Sequence, residues 1–224
     1  MGKREKTGPG NRDEREKTRA LSPAEERRLQ KFEALSDAMT GQGYRRTELT
    51  VSIVGANIFA LVLLVPLLAV GIGLFIVKND TLSGSFQSGP WSVILFFAVF
   101  AALTVVHELV HGASWAVFAE HHWRDIEFGF MKQYLTPYCT CLVPLSKGQY
   151  ILGALMPMLL LGLLPMAAGI LVGSMSVLLM GIVMTGSAAG DILVVWKILR
   201  YKSRAETVVY IDHPTQAGGV IFEK

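Results

Sequence analysis

Charge is scarce in this 224-residue chain: Asp, Glu, Lys and Arg make up 17%, against 51% apolar residues. A water-soluble domain ordinarily carries about a quarter charged residues, so the deficit points to a membrane. Cysteine is scarcer still. Cys139 and Cys141 stand too close in sequence for an ordinary disulfide framework, and they fit a reduced, cytosol-facing location. The formal net charge of +3 arises from interleaved acids and bases, which argues against a nucleic-acid partner. No internal repeat is visible. No cleavable leader is expected either, because about fifty mostly polar residues precede the first apolar run.

What charge there is lies mostly at the N-terminus. Residues 1–43 read as a charged cytosolic tail, and the first twenty have no apolar periodicity. One short amphipathic helix is expected over 22–41, with Ser22 as N-cap, Pro23 at the first helical position and Glu25 completing a capping box. Its stripe of Leu29, Phe32 and Leu35 suits docking onto the protein itself.

Residues 44–204 read as a membrane domain with spans near 50–77, 91–119, 150–173 and 174–199. Each is long enough to cross about 30 Å of hydrocarbon. The expected class is therefore an all-α polytopic membrane protein with four transmembrane helices. Pro157 and Pro165 predict a kinked third span beside a cavity, and Gly181, Gly186 and Gly190 predict close helix approach in the fourth. Between the second and third spans, Ile126, Phe128 and Phe130 alternate, so a short β-hairpin or re-entrant segment is expected there. Residues 205–224 read as a cytosolic tail with a short strand at Thr207–Ile211. Lys and Arg cluster in the N-terminal region, the 120–150 loop and the C-terminal tail. The positive-inside rule then predicts a multi-pass protein of the cell membrane, partnered by the lipid bilayer, with both termini cytosolic.

Inside the second span lies His107-Glu108-Leu109-Val110-His111. Residues four apart share a helix face, so both imidazoles can reach one metal ion, with Glu108 beside them to accept a proton from water. Ionisable groups within an apolar span are costly and normally functional. A catalytic zinc site needs a third protein ligand and an open position. The extended form of the motif would place a further His at 117, where this chain has Val117. Candidates for the third ligand are Asp191, Glu127, Asp125, Glu120, His121, His122 and the Cys139/Cys141 pair. Depth favours Asp191: it and His111 each lie about eight residues, or ~12 Å, before the cytosolic end of a span. Pairing with Lys197 is the alternative for Asp191. The Cys pair reads as a structural or substrate-loop feature.

These residues resemble a known family. The membrane motif with Gly112, the Thr136-Pro137-Tyr138-Cys139-x-Cys141 loop, the Gly153-Ala154-Leu155-Met156-Pro157 helix, Gly190-Asp191 and Asp212-His213-Pro214 look like the prokaryotic membrane family of zincin peptidases of unknown function. The arrangement is also similar to the site-2 proteases, which cut substrate helices within the membrane. That resemblance implies His107, His111 and Asp191 as zinc ligands and Glu108 as general base. Where those proteases carry Asn-Pro-Asp-Gly, this chain has Ala189-Gly190-Asp191-Ile192, so their substrate-holding Asn is missing. Asn57 is a possible substitute, and Tyr138, Cys139 and Cys141 are the other substrate-binding candidates. The expected activity is zinc-dependent hydrolysis of peptide bonds in membrane or membrane-proximal protein substrates. The rival is a non-catalytic membrane protein whose zinc is structural or sensory.

Overall fold

The computed structural model describes residues 21–80, 89–131 and 136–224. The proposed tail over residues 1–20 and most of the connector 78–90 lie outside the described residues.

The chain enters helix α1 (Pro23–Gly41) at Pro23, where Ser22 and Glu25 exchange both capping-box bonds. Strand β1 (Arg45–Thr50) follows, then α2 (Ile53–Asn79), α3 (Pro90–Ala116) and a short 3-10 turn, His122–Asp125. Strands β2 (Ile126–Met131) and β3 (Thr136–Cys141) pair as an antiparallel hairpin, with Phe128 opposite Cys139. Helix α4 (Lys147–Pro157) runs through a π-helical turn, Met158–Leu163, into α5 (Leu164–Val172). The π turn starts directly after Pro157, at the place where the prolines predict a kink. Helices α6 (Met175–Ser187) and α7 (Ala189–Arg200) come next, followed by strands β4 (Val208–Asp212) and β5 (Gly218–Glu223).

Three helical stretches are long and apolar enough to cross a membrane: α2, α3 and the continuous α4–α5. Helices α6 and α7 pass that test as a pair bent by 48°. The fourth stretch is thus a broken helix rather than the continuous one expected. Apolar side chains such as Leu61, Val65, Leu95 and Phe97 stand exposed on the outer faces, as a lipid-facing surface requires. Glycines let the inner faces meet at backbone distance. A Cβ on Gly162 would lie 3.0 Å from the Thr185 backbone, which only a small residue permits.

One expectation needs correcting. The chain is mostly helical but not all-α, because β1, β5 and β4 form a three-stranded antiparallel sheet with β5 in the centre. Val220 and Phe222 of β5 pack with Phe32 and Met39 of α1, whereas Ile221 packs on the other face with Tyr150, Val195 and Ile198. The period-2 alternation of β5 is therefore apolar on both faces, as in any strand covered on both sides. Strand β1 reads as polar, Arg-Arg-Thr-Glu-Leu-Thr, and so passed for the approach to the first span. Its pairing partner lies at the far end of the chain, with Arg45 opposite Glu223 and ion-paired to it.

Candidate metal centre

Helix α3 presents His107 and His111 on one face, both buried, with ring centroids 4.8 Å apart. Asp191, in the first turn of α7 just past the bend, reaches both of them. Its Oδ2 lies 3.3 Å from His107 Nε2 and its Oδ1 lies 3.5 Å from His111 Nε2. The two Nε2 atoms are 3.1 Å apart. Among the described residues, this is the group of His, Cys, Asp and Glu side chains whose ligand atoms converge closely enough for one metal.

The donor set suits a tetrahedral ion. His111 Nδ1 donates to the Gly153 carbonyl at 2.9 Å, because a carbonyl can only accept. That fixes Nε2 as the lone-pair nitrogen and turns it toward Asp191 and His107. Two ligands on a tetrahedral zinc with bonds of about 2.0–2.1 Å stand about 3.3–3.4 Å apart. The 3.1 Å between the two Nε2 atoms and the 3.3 Å from His107 to Asp191 Oδ2 lie near that value, and the 3.5 Å contact to His111 is made by the other carboxylate oxygen. His107 Nε2 is held among these same atoms, whereas its Nδ1 is buried with no hydrogen-bond partner among the described residues.

Glu108 lines the same cavity as His111 and Asp191, and the Cys139 backbone N–H faces its carboxylate. The cavity holds about 230 Å³. It is closed on one side by β3 and on another by the turn after β4. Glu25 and Arg28 of α1 form a further wall. Arg28 donates to the Pro214 carbonyl at 2.5 Å and to the Tyr138 hydroxyl at 2.7 Å, and its guanidinium lies over the Tyr138 ring. A larger apolar groove of about 620 Å³ runs between α3 and α5–α6, lined by residues such as Phe96, Leu103 and Met180. None of the described residues that line it is ionisable, so the smaller cavity is the candidate site.

Most of the other sequence candidates sit elsewhere. Lys197, the alternative partner of Asp191, donates to the Thr50 carbonyl at 2.5 Å. Asp125 caps the turn after α3, accepting from the His121 N–H at 2.7 Å, and His122 bonds the Ala116 carbonyl. Glu127 pairs with Lys31. Glu120 is solvent-exposed. Asn57 is exposed on α2 and does not line the cavity, whereas Tyr138 and Cys139 do. Cys141 is fully buried. Burial, and then the neighbouring Asp212, push the Cys139 thiol well up and the Cys141 thiol up to about 12. Neither is a reactive thiolate at neutral pH.

Sequence reasoning missed two walls of the site. Trp115 stacks on His111 at 5.1 Å and 14°, and its position four residues after His111 was the available signal. The apolar stripe of α1 signalled docking onto the protein, but nothing in its charged residues singled out Glu25 and Arg28 as a wall of the site.

The turn after β4 carries opposed titrations. Burial raises Asp212 to about 6 and lowers His213 to about 4. The His213 contribution to stability is present above its ordinary value near 6.5 and is lost as pH falls through 4. Asp212 acts in the reverse direction, with stability present below its ordinary 3.8 and lost as pH rises through 6. The two nearly cancel between pH 4 and 6. A His213→Gln variant should therefore gain stability relative to the wild type as pH falls from 6.5 to 4, measured as thermal midpoints in detergent. A midpoint difference that does not change with pH would contradict this account.

No curated protein and no solved structure matches the chain. Residues 100–205, which contain the His-Glu-x-x-His motif and Asp191, match the model of the family DUF3267, described as "Putative zincin peptidase", and that description implies a zinc-dependent metallopeptidase.

Proposed function

We propose that this protein is a membrane-embedded zinc peptidase in which His107, His111 and Asp191 hold the ion and Glu108 is the general base. The observation that carries the reading is the convergence of two imidazole nitrogens and a carboxylate within reach of one ion, with Glu108 on the same cavity. When bound, zinc lowers the pKa of a coordinated water toward about 7 and polarises a carbonyl. Glu108 takes the proton from the attacking water and returns it to the leaving amine. The Cys139 N–H steadies the Glu108 carboxylate for that task. His111 keeps its Nε2 aimed inward through Gly153. A spanning motif joined by an Asp on a later helix supports a site-2-protease-like arrangement.

The pairing of β1 with β5 supports an even number of crossings. Residues just before the first apolar helix and residues after the last lie in one sheet, so both flanks occupy the same side of a bilayer. The bent α6–α7 pair then counts as the fourth span, and the basic residues favour the cytosol for that side. His111 lies five residues before the end of α3, or ~8 Å at 1.5 Å per residue. Such shallow placement favours membrane-proximal peptide bonds in protein substrates. The site-facing N–H groups of Cys139 and Cys141 are already engaged by Glu108 and Asp212, so a substrate strand would meet β3 mainly through its carbonyls.

Purified protein should cleave a set of quenched fluorescent peptides, lose that activity to a zinc chelator and regain it when zinc is returned. Zinc held by four protein ligands with no cleavage under any condition would instead support the structural or sensory reading.

A further inference from the structure

We infer that Asp212 is a positioning residue that joins, through one carboxylate, the strand holding Glu108 and the helix holding His111. The inference rests on the peptidase reading above. Asp212 closes β4, outside the apolar helices, and is buried. Its Oδ2 accepts the Cys141 N–H at 2.7 Å, and its Oδ1 accepts the Tyr150 hydroxyl at 2.5 Å.

The first bond sets β3. Two residues before Cys141, on the same edge of β3 away from β2, the Cys139 N–H faces the Glu108 carboxylate. Residues two apart on a strand lie about 7 Å from each other and point their N–H groups to the same edge. Fixing Cys141 therefore fixes the donor that steadies the general base.

The second bond sets α4. Tyr150 lies one turn before Gly153, whose carbonyl orients His111, and the Tyr150 carbonyl accepts from Trp115 Nε1 at 3.2 Å. Trp115 is the ring stacked on His111. Two contacts of the same imidazole thus depend on where Tyr150 is held. Both partners of Asp212 are donors, and an ionised carboxylate is acceptor-only. An amide at this position would turn an NH₂ toward one of them, so Asn fills the space without doing the task.

The test uses full-length wild type, Asp212→Asn, Tyr150→Phe and the double variant, each loaded with Co²⁺ in detergent. The readouts are the visible absorption of the bound ion, its affinity by chelator competition, the pH profile of peptide cleavage and the thermal midpoint. Loss of an outer hydrogen bond to a metal site typically weakens binding 10–100-fold. The expected result is weakening in that range with an altered cobalt spectrum, and a shifted pH profile in Asp212→Asn. The double variant should be no worse than Asp212→Asn, because the Tyr150 arm ends on that carboxylate. Variants whose spectrum, affinity and pH profile match the wild type would overturn the inference, including when their midpoints fall, because Asp212 would then be a structural clip. Should Asp212→Asn fail to fold, Tyr150→Phe carries the test by removing one oxygen atom. A wild type that takes up no cobalt would overturn the metal reading itself, and this inference with it.

Discussion

Glu108→Gln should retain about one zinc per chain and lose cleavage by 10²–10⁴-fold, the range a general base ordinarily contributes. The substitution leaves all three proposed ligands untouched. Gln is nearly the same size as Glu, and its amide oxygen can still accept the Cys139 N–H. What disappears is the capacity to take a proton at neutral pH. Metal analysis and kcat/KM on the same preparation separate the two effects. A Gln variant that cut at the wild-type rate would remove Glu108 from the mechanism. One that lost zinc as well would make Glu108 a ligand or a structural support.

Asp191→Ala should lose the metal. The two remaining nitrogens, 3.1 Å apart, supply two of the three protein ligands a catalytic zinc site needs. Zinc content should fall from about one per chain to near none, and activity should fall with it. The Lys197 ammonium is engaged with Thr50, so the loss cannot be ascribed to a broken Asp191–Lys197 pair. Zinc retained in full would transfer the third ligand to another residue. Glu108 would then be the first to examine, because it lines the same cavity.

Much of this architecture is legible at the level of local periodicity. Ser22-Pro23-Ala24-Glu25 states a helix start in four residues, because the reciprocal bonds of a capping box involve only near neighbours. Pro157 states an interruption, and the π turn begins directly after it. Alternation at Ile126, Phe128 and Phe130 states a strand. Strand β1 could not be read this way. Its residues are polar, and its pairing and part of its cover come from β5 and α1. The bend between α6 and α7 was not read, although the small and polar run Gly186-Ser187-Ala188-Ala189-Gly190-Asp191 lies across it.

At the candidate site, the same division holds. That His107 and His111 share one face follows from 3.6 residues per turn, and composition alone placed that face within an apolar run. Matching depth brought Asp191 into consideration, but depth leaves rotation about each helix free. Closure of the fold brings the Asp191 carboxylate to 3.3 and 3.5 Å of the two rings and sets Arg28, Trp115, Tyr150 and Asp212 around them. Bonded neighbours and helical period specify the apolar helices and the paired histidines. The third carboxylate and the surrounding supports depend on contacts that join elements up to 186 positions apart and exist once burial and hydrogen bonding fix every element against the others.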